Sequence, residues 1–595
     1  MSQRVNRMDF LKAFLCAFGM LYLADPYLEL PFVVYVSVYC AFLCLYKLCK
    51  NLGVSAYKQS KWAAAIFSLC IILGYDWLGL LLNDYSKRRV LYTICACIGV
   101  FLLFNKLLNL LYAILLKKHT ADNRARCAIN DKKATKVFVI SFLLLWCVYF
   151  VFYLNQYPGS LSCDTPAQLA QAMGDEAFEN ANPFINTIVL TFFVKTGLAI
   201  GGDVNLGIAL YTFFQFTMTA LVFAYAVMVL YKLGINRWVI VFAQLFFNCL
   251  PYNIIYANGM WKDTFFAVFF LATMVCVVES ICTRGNSKQK KATGRLGVLF
   301  FLTMMASLSR NSGWSSLLVL GFVMLVYAVK NKCKDIQPIA KVVVLGTLSA
   351  VVIMSVVYPA LGVTDNGGVV TGLSVPLQQV SRVVVYDGDI PEEMLDKINA
   401  VAPVEDIKEL YIPDVSDPIK WIVNEEQLDE NLLDYAKLWV ELGLKNPKIY
   451  LDAHVNLTKG YWHLDNIIWT WDARIFENRY GVTRNPLLFS EIDIAYKMAE
   501  IVDFPKCEVL YTSSIILWIA IIMCGFAGVI KNKLAGICYV AIFVIYIGLM
   551  LTSPVALFRY TYGAAVCLPL IIALPFIEFR QPNHVAAANC TEELE

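Results

Sequence analysis

Phe184-Ile-Asn-Thr-Ile-Val-Leu-Thr-Phe-Phe-Val-Lys-Thr-Gly-Leu-Ala-Ile200 is the stretch on which the threading of this chain turns. By hydropathy alone it is a membrane span, because about 20 apolar residues suffice to cross a bilayer. Counted as one, it moves the basic block Arg284/Lys288/Lys290/Lys291/Arg295 to the outer side and reverses every later segment. Read as a helix that lies in the outer interface or dips back, interrupted by Lys195 and closed by Gly201-Gly202, it leaves the basic loops on one side. Those loops are Lys47/Lys50/Lys58/Lys61, Lys117/Lys118/Arg124/Arg126/Lys132/Lys133/Lys136, the 284–295 block, Lys330/Lys332/Lys334 and Lys531/Lys533. An excess of Lys and Arg marks the cytoplasmic side. Both termini are then cytoplasmic, and only Lys87, Arg88 and Arg89 fall outside.

Outward from that stretch, apolar runs recur near 10–24, 30–47, 62–82, 90–116, 137–156, 206–231, 238–257, 261–282, 296–309, 313–329, 340–361, 511–530, 534–552 and 558–577. They predict an all-α polytopic membrane protein with about fourteen transmembrane helices and a mainly helical outer domain. Composition agrees: 59% of the 595 residues are hydrophobic and 16% charged, against about 25% charged in a soluble chain. The net charge of +4 sits in short blocks between apolar runs, which argues against a nucleic-acid partner. Nearly all of the 19 cysteines lie inside apolar runs, where they act as small hydrophobes, and no zinc spacing occurs. Structural disulfides are not expected. Met1–Lys12 is a basic flank without a cleavage site after it, so the first helix is expected to stay uncleaved.

Five regions follow: an N-terminal four-helix membrane region (1–136), a membrane core (137–361) with an outer loop (157–205), an outer soluble domain (362–510), C-terminal membrane helices (511–577) and a cytoplasmic tail (578–595).

Charge inside a membrane protein is costly and marks function by default. In this topology Asp164, Lys262, Asp263, Arg310 and Arg559 all fall at outer ends of helices, in one layer beneath the outer surface. Asp164, before Thr165-Pro166, reads either as a helix cap or as a general base. Lys262-Asp263 reads as a snorkelling Lys with a dipole-favoured Asp, or as a phosphate ligand beside a group that orients an acceptor or holds a divalent metal. Arg310-Asn-Ser-Gly313, between two short helices, offers a planar fork suited to phosphate, and Arg559-Tyr560 is an interfacial anchor or a further cation. In the outer domain Gln378, Gln379 and Arg382, with Tyr461, Trp462, His463, Trp469 and Trp471, are candidates for binding sugars, although exposed aromatics also anchor domains to interfaces. His454 and His463 lack a third ligand.

The order of these parts over 137–577 resembles the GT-C superfamily of membrane glycosyltransferases. More narrowly, Tyr157-Pro-Gly, Trp261-Lys-Asp, Ser309-Arg-Asn-Ser-Gly, Leu377-Gln-Gln-Val-Ser-Arg and Ser553-Pro-Val with Phe558-Arg-Tyr look like an uncharacterised bacterial polytopic membrane family grouped with it. Two features depart from that pattern: Asn182-Pro183-Phe184 stands where relatives often show His-Pro-Pro, and Asp164 has no second acidic residue beside it. The resemblance implies a glycosyltransferase that moves a sugar from a polyprenyl-phosphate donor to a cell-envelope glycan or lipid acceptor. It implies Asp164 as catalytic base, Arg310, Lys262 and Arg559 on the donor phosphate, Asp263 on the acceptor or a divalent metal (Mg or Mn), and Gln378, Arg382, Tyr560 and Trp462 on substrate. The alternative is a polytopic transporter or flippase of lipid-linked sugars, whose signs are repeated halves and broken helices.

Overall fold

The structure is a computed structural model that describes residues 7–24, 30–75, 87–122, 131–162, 164–283, 289–310, 313–364, 368–464, 473–502 and 511–579. The described residues form helices and isolated β-bridges, with no strand among them. Where side chains are apolar on every face and no water is at hand, only a helix satisfies each backbone N–H and C=O internally. Four helices lead: α1 (Arg7–Ala24), α2 (Phe32–Asn51), α3 (Lys58–Gly74) and α4 (Lys87–Asp122). Ten more form the core: α5 (Asp131–Asn155), α6 (Thr165–Met173), α7 (Phe184–Gly201), α8 (Val204–Lys232), α9 (Arg237–Cys249), α10 (Pro251–Asn258), α11 (Lys262–Thr283), α12 (Gln289–Leu308), α13 (Gly313–Lys330) and α14 (Gln337–Val352). A polar domain of short helices follows, including α15 (Ser374–Val385), α16 (Glu392–Val401), α17 (Val404–Leu410), α18 (Asp417–Lys420), α19 (Glu425–Glu430), α20 (Leu432–Lys445) and α21 (Pro447–Thr458). The chain returns through α22 (Ile494–Val502), α23 (Ser513–Val529), α24 (Lys533–Cys538), α25 (Val540–Thr552), α26 (Phe558–Ala565) and α27 (Leu568–Ala573).

Nine described helices are long and apolar enough to cross a membrane, or eleven when each of two bent pairs is taken as one. The protein is thus a polytopic helical membrane protein, with fewer clear spans than the fourteen expected from hydropathy. Part of the difference lies in short apolar stretches: Thr293–Leu308, the apolar part of α12, and Ser513–Val529 fall below the length of a span, since 17 residues at ~1.5 Å each reach only about 25 Å of a ~30 Å hydrocarbon core. Two further runs are lost to breaks, and the runs 10–24 and 62–82 also have no counterpart among the nine. The runs 238–257 and 558–577, expected as single helices, bend by 54° between α9 and α10 and by 45° after Ala565. Pro251 and Pro569 stand at these breaks, where a missing N–H and the ring interrupt the ladder.

The Phe184–Gly201 stretch is an unbroken helix that counts among the nine, so Lys195 does not interrupt it. It packs on the first half of α8, with Gly197 against the Gly207 backbone and the Phe193 ring 5.1 Å from Phe214. Asn186 near its start donates to the Ser309 carbonyl (3.3 Å), and Gly201 at its end meets Leu206. At the centre stands α11, whose apolar window is 94% buried where the other candidate spans reach at most 56%.

The polar domain has its own core around Val383, Ile398, Ile407, Ile419 and Leu442. It docks on the C-terminal helices through Ser416 N to Pro554 O (2.8 Å), Tyr461 Oη to Val555 O (2.9 Å) and Trp518 Nε1 to Trp462 O (2.9 Å). Within it lies an apolar cavity of about 260 Å³. The C-terminal tail from 580, Trp469, Trp471, Cys163 and Cys507 lie outside the described residues.

Candidate functional site

The loop between α5 and α6 sets the position of Asp164. Gly159 has φ 139°, and a Cβ there would run into Thr212 of α8, so a side chain would push the loop off the helix. Ser160 then bridges to Gly259, and Leu161 exchanges backbone hydrogen bonds with Arg474 O (3.1 Å) and Phe476 N (2.8 Å). Trp261 Nε1 donates to Ser162 Oγ (3.0 Å), and Thr165 Oγ1 to Met260 O (2.9 Å). These bonds bring the start of α6 against the start of α11.

Asp164 occupies the N-cap position of α6, yet its side chain makes no capping hydrogen bond. Its Oδ2 instead lies 3.1 Å from Lys262 Nζ and 3.1 Å from Arg559 Nη1. The capping reading of Asp164 is thereby set aside in favour of an ion-paired carboxylate. Burial alone would raise this carboxyl, but the Lys262 ammonium and the Arg559 guanidinium outweigh it and hold the pKa down at about 2.

Lys262 also donates to Asn182 Oδ1 (2.8 Å). The next residue, Asp263, pairs through Oδ1 with Arg310 Nη1 at 3.2 Å. Arg310 Nη1 donates as well to the Tyr560 carbonyl (2.8 Å), and its guanidinium lies 5.5 Å from the Phe266 ring centre and 5.3 Å from that of Tyr560. Phe266 is wedged between α13 and α26: a Cβ on Gly313 or Gly563 would approach its ring to 2.7 or 2.6 Å. Arg559 reaches Tyr560 Oη through Nη2 (3.2 Å). Asn311 and Ser312, beside Arg310, lie outside the described residues.

Five charges expected in one layer are thus brought into one contiguous cluster, with Tyr560 joining Arg310 to Arg559. It is graded in depth. Asp164 is 34% exposed, Lys262 21%, Arg559 15%, Arg310 14% and Asp263 2%. Two polar atoms at the buried end, Asp263 Oδ2 and Arg559 Nε, have no hydrogen-bond partner among the described residues. Buried polar atoms are rarely left so, and a ligand or water is the usual remedy.

Three other candidates lie elsewhere. Gln378 is fully buried and donates to Ile412 O; Arg382, equally enclosed, pairs with Asp452 and donates to Tyr411 Oη (3.0 Å). Both hold the polar domain together rather than facing a substrate. Trp462 is buried, bonded to Thr458 Oγ1 (3.2 Å), and packs the domain onto α23. The residues not singled out in the sequence are Ser162 and Phe266; each is an ordinary hydroxyl or apolar position until its neighbours are known.

Among the described residues no three His, Cys, Asp or Glu side chains converge. A divalent cation here would meet two carboxylates, Asp263 and Asp164, each already paired with cations at 3.1–3.2 Å through one oxygen. That donor set suits a resident metal poorly, and no step below uses one.

No curated protein and no solved structure matches the chain. One family does, over residues 173–589, a range that takes in Lys262, Asp263, Arg310, Arg559 and Tyr560 and begins just after Asp164. The chain belongs to that family, the family of unknown function DUF6020.

Proposed function

We propose that this protein is a glycosyltransferase that moves a sugar from a polyprenyl-phosphate donor to a cell-envelope acceptor at the outer face of the membrane. The observation that carries the reading is Asp164: a carboxylate at a helix start, unspent on capping, accessible, and shared by two cations from distant elements. With it goes the topology of about fourteen spans and cytoplasmic termini expected from the apolar runs and basic loops.

In this reaction an acceptor hydroxyl attacks the anomeric carbon as the bond from that carbon to the phosphate oxygen breaks. The hydroxyl proton goes to Asp164, and the bonding pair leaves with the phosphate. Arg310, Lys262 and Arg559 stabilise the negative charge that gathers there, which fixed cations do well away from bulk water. While Asp164 holds Lys262 and Arg559 it is a weak base, with a pKa of about 2. A donor phosphate competes for the same two cations, so its arrival loosens the carboxylate and raises its basicity when the proton must be taken. Asp263 holds Arg310 in place and leaves Oδ2 for the acceptor.

The two bent helix pairs favour a second reading, because transporters of lipid-linked substrates build sites from broken helices. Purified protein in proteoliposomes, given a polyprenyl-phosphate sugar and an envelope glycan acceptor, separates the two. Transfer by the wild type, and a drop of roughly a hundredfold or more in a folded Asp164→Asn variant, is the expected result. Full transfer by that variant removes Asp164 from the chemistry. Movement of the lipid across the bilayer without a glycosylated product supports the flippase instead.

A further inference from the structure

One stripe of α5 is apolar and uncovered: Ile140, Leu144, Val148 and Val151 are exposed and recur at helical spacing. On a helix long and apolar enough to cross a membrane, that stripe faces lipid. From Lys136 in its basic first turns to Asn155 at its end, α5 rises about 28 Å at ~1.5 Å per residue, close to the depth of a hydrocarbon core. Asn155 therefore stands at the far boundary of the bilayer.

The next positions of the stripe are Leu154 and Asn155, and a segment from far along the chain is fastened there. Leu487 N donates to the Leu154 carbonyl and Asn485 N to that of Tyr157, each at 2.8 Å. Asn155 Nδ2 donates to the carbonyls of Leu488 (3.1 Å), Phe489 (3.1 Å) and Ile492 (2.8 Å). Thr483 N reaches Asn205 Oδ1 at the start of α8, another membrane helix, at 3.4 Å. The segment thus lies across the ends of two membrane helices, although the sequence reading puts it in the outer soluble domain. Leu487 is 59%, Phe489 55%, Ile492 48% and Tyr496 64% exposed, with Ser490 and Glu491 also exposed between them. Such a mixture suits the headgroup boundary, where apolar side chains reach the acyl chains and polar ones stay wet. Phe489 holds φ 53°, a conformation in which Asn is at ease and a bulky side chain is strained. An outlier of that kind points to a use for the side chain.

We infer that residues 487–496 are an interfacial anchor, which lays Leu487, Phe489, Ile492 and Tyr496 into the lipid leaflet at the Asn155 end of α5. The anchor is independent of the glycosyl-transfer reading. Full-length protein in vesicles of phosphatidylethanolamine and phosphatidylglycerol is irradiated with p-benzoylphenylalanine in place of Leu487, Ile492, Val151 or Glu393, one at a time. Val151 on the α5 stripe is the lipid-facing reference, and Glu393 of α16, a charged side chain 85% exposed, is the reference for water. Phospholipid adducts at Leu487 and Ile492 are expected near the level at Val151 and about tenfold above that at Glu393. Phe489→Asn, which suits the backbone there, should lower the adducts at Leu487 and Ile492 about fivefold and leave those at Val151 unchanged. Tyr496→Ser carries the same test if that variant fails to fold. Adducts at Leu487 and Ile492 no higher than at Glu393, crosslinks there to a second copy of the chain in place of lipid, or lipid adducts unaltered in a folded variant would overturn the inference.

Discussion

Two charged clusters sit at opposite ends of α11, and the contrast between them separates a clamp from a site. At the far end Glu279, 7% exposed, lies 3.0 Å from Lys232 Nζ and 3.7 Å from Arg295 Nη2, and accepts from Tyr225 Oη at 2.8 Å. Both of its oxygens are engaged, and the three partners tie α8, α11 and α12 together. At the near end Asp263 lies about 24 Å along the same helix at ~1.5 Å per residue. There one carboxylate oxygen and one guanidinium nitrogen have no partner among the described residues, and a second carboxylate, Asp164, is a third exposed. Each cluster holds one more positive than negative group, so net charge does not distinguish them. Unspent hydrogen-bonding capacity and access do, and only the Asp164 end has both.

The largest effect should follow loss of Arg310. Arg310→Leu is expected to lower the kcat for transfer by about 10²–10³, the scale for removing one preorganised donor to a developing charge. Arg310→Lys should recover part of it, keeping charge but losing the planar fork. An equal fall in Glu279→Gln, measured per folded molecule, would erase the contrast. That variant should instead lose about 2 kcal/mol of stability in an unfolding titration with kcat unchanged, a figure below that of a fully buried pair because Lys232 and Arg295 are 26% and 23% exposed.

The pH profile sharpens the comparison further. The Asp164 carboxyl is depressed to about 2 in the free protein, so the stability it contributes is fully present above the ordinary carboxylate range and is lost only as pH falls toward 2. Free-enzyme and complex pKa values appear in kcat/KM and kcat respectively. As pH falls, kcat/KM should therefore stay flat to about pH 4 while kcat declines first, because bound donor phosphate has drawn the cations away. Coincident acid limbs would contradict this exchange. The smallest effect is expected of Trp261→Phe, which removes the 3.0 Å bond to Ser162. It should cost about 1 kcal/mol of stability and slow transfer mildly, with the loss in kcat rather than KM if the bond positions Asp164.

Much of the fold was legible because a membrane helix needs only an apolar run, and such runs are visible residue by residue. The breaks were missed: Pro251 and Pro569 lie inside runs read as continuous, although their missing N–H groups mark the bends. Lys195 misled in the other direction, since one charge at the surface of a helix need not interrupt it. The common depth of Asp164, Lys262, Asp263, Arg310 and Arg559 could be read from where helices end. Which carboxylate meets which cation could not, because that depends on Gly159, Phe266 and the bend before α11 acting together. Gln378 and Arg382 looked like substrate ligands because they are polar residues in a polar domain. Their partners, the Ile412 carbonyl for Gln378 and Asp452 for Arg382, lie outside their own helix, and burial of that edge leaves no trace in local sequence.

The most direct test is a titration of a short-chain prenyl phosphate into vesicles of wild type and Asp164→Asn, with transfer measured in the same preparations. The neutral amide no longer competes for Lys262 and Arg559, so the variant should bind the phosphate more tightly, by roughly tenfold or about 1.4 kcal/mol, while transferring sugar about a hundredfold more slowly. Unchanged or weaker binding together with retained transfer would contradict both the phosphate site and the base.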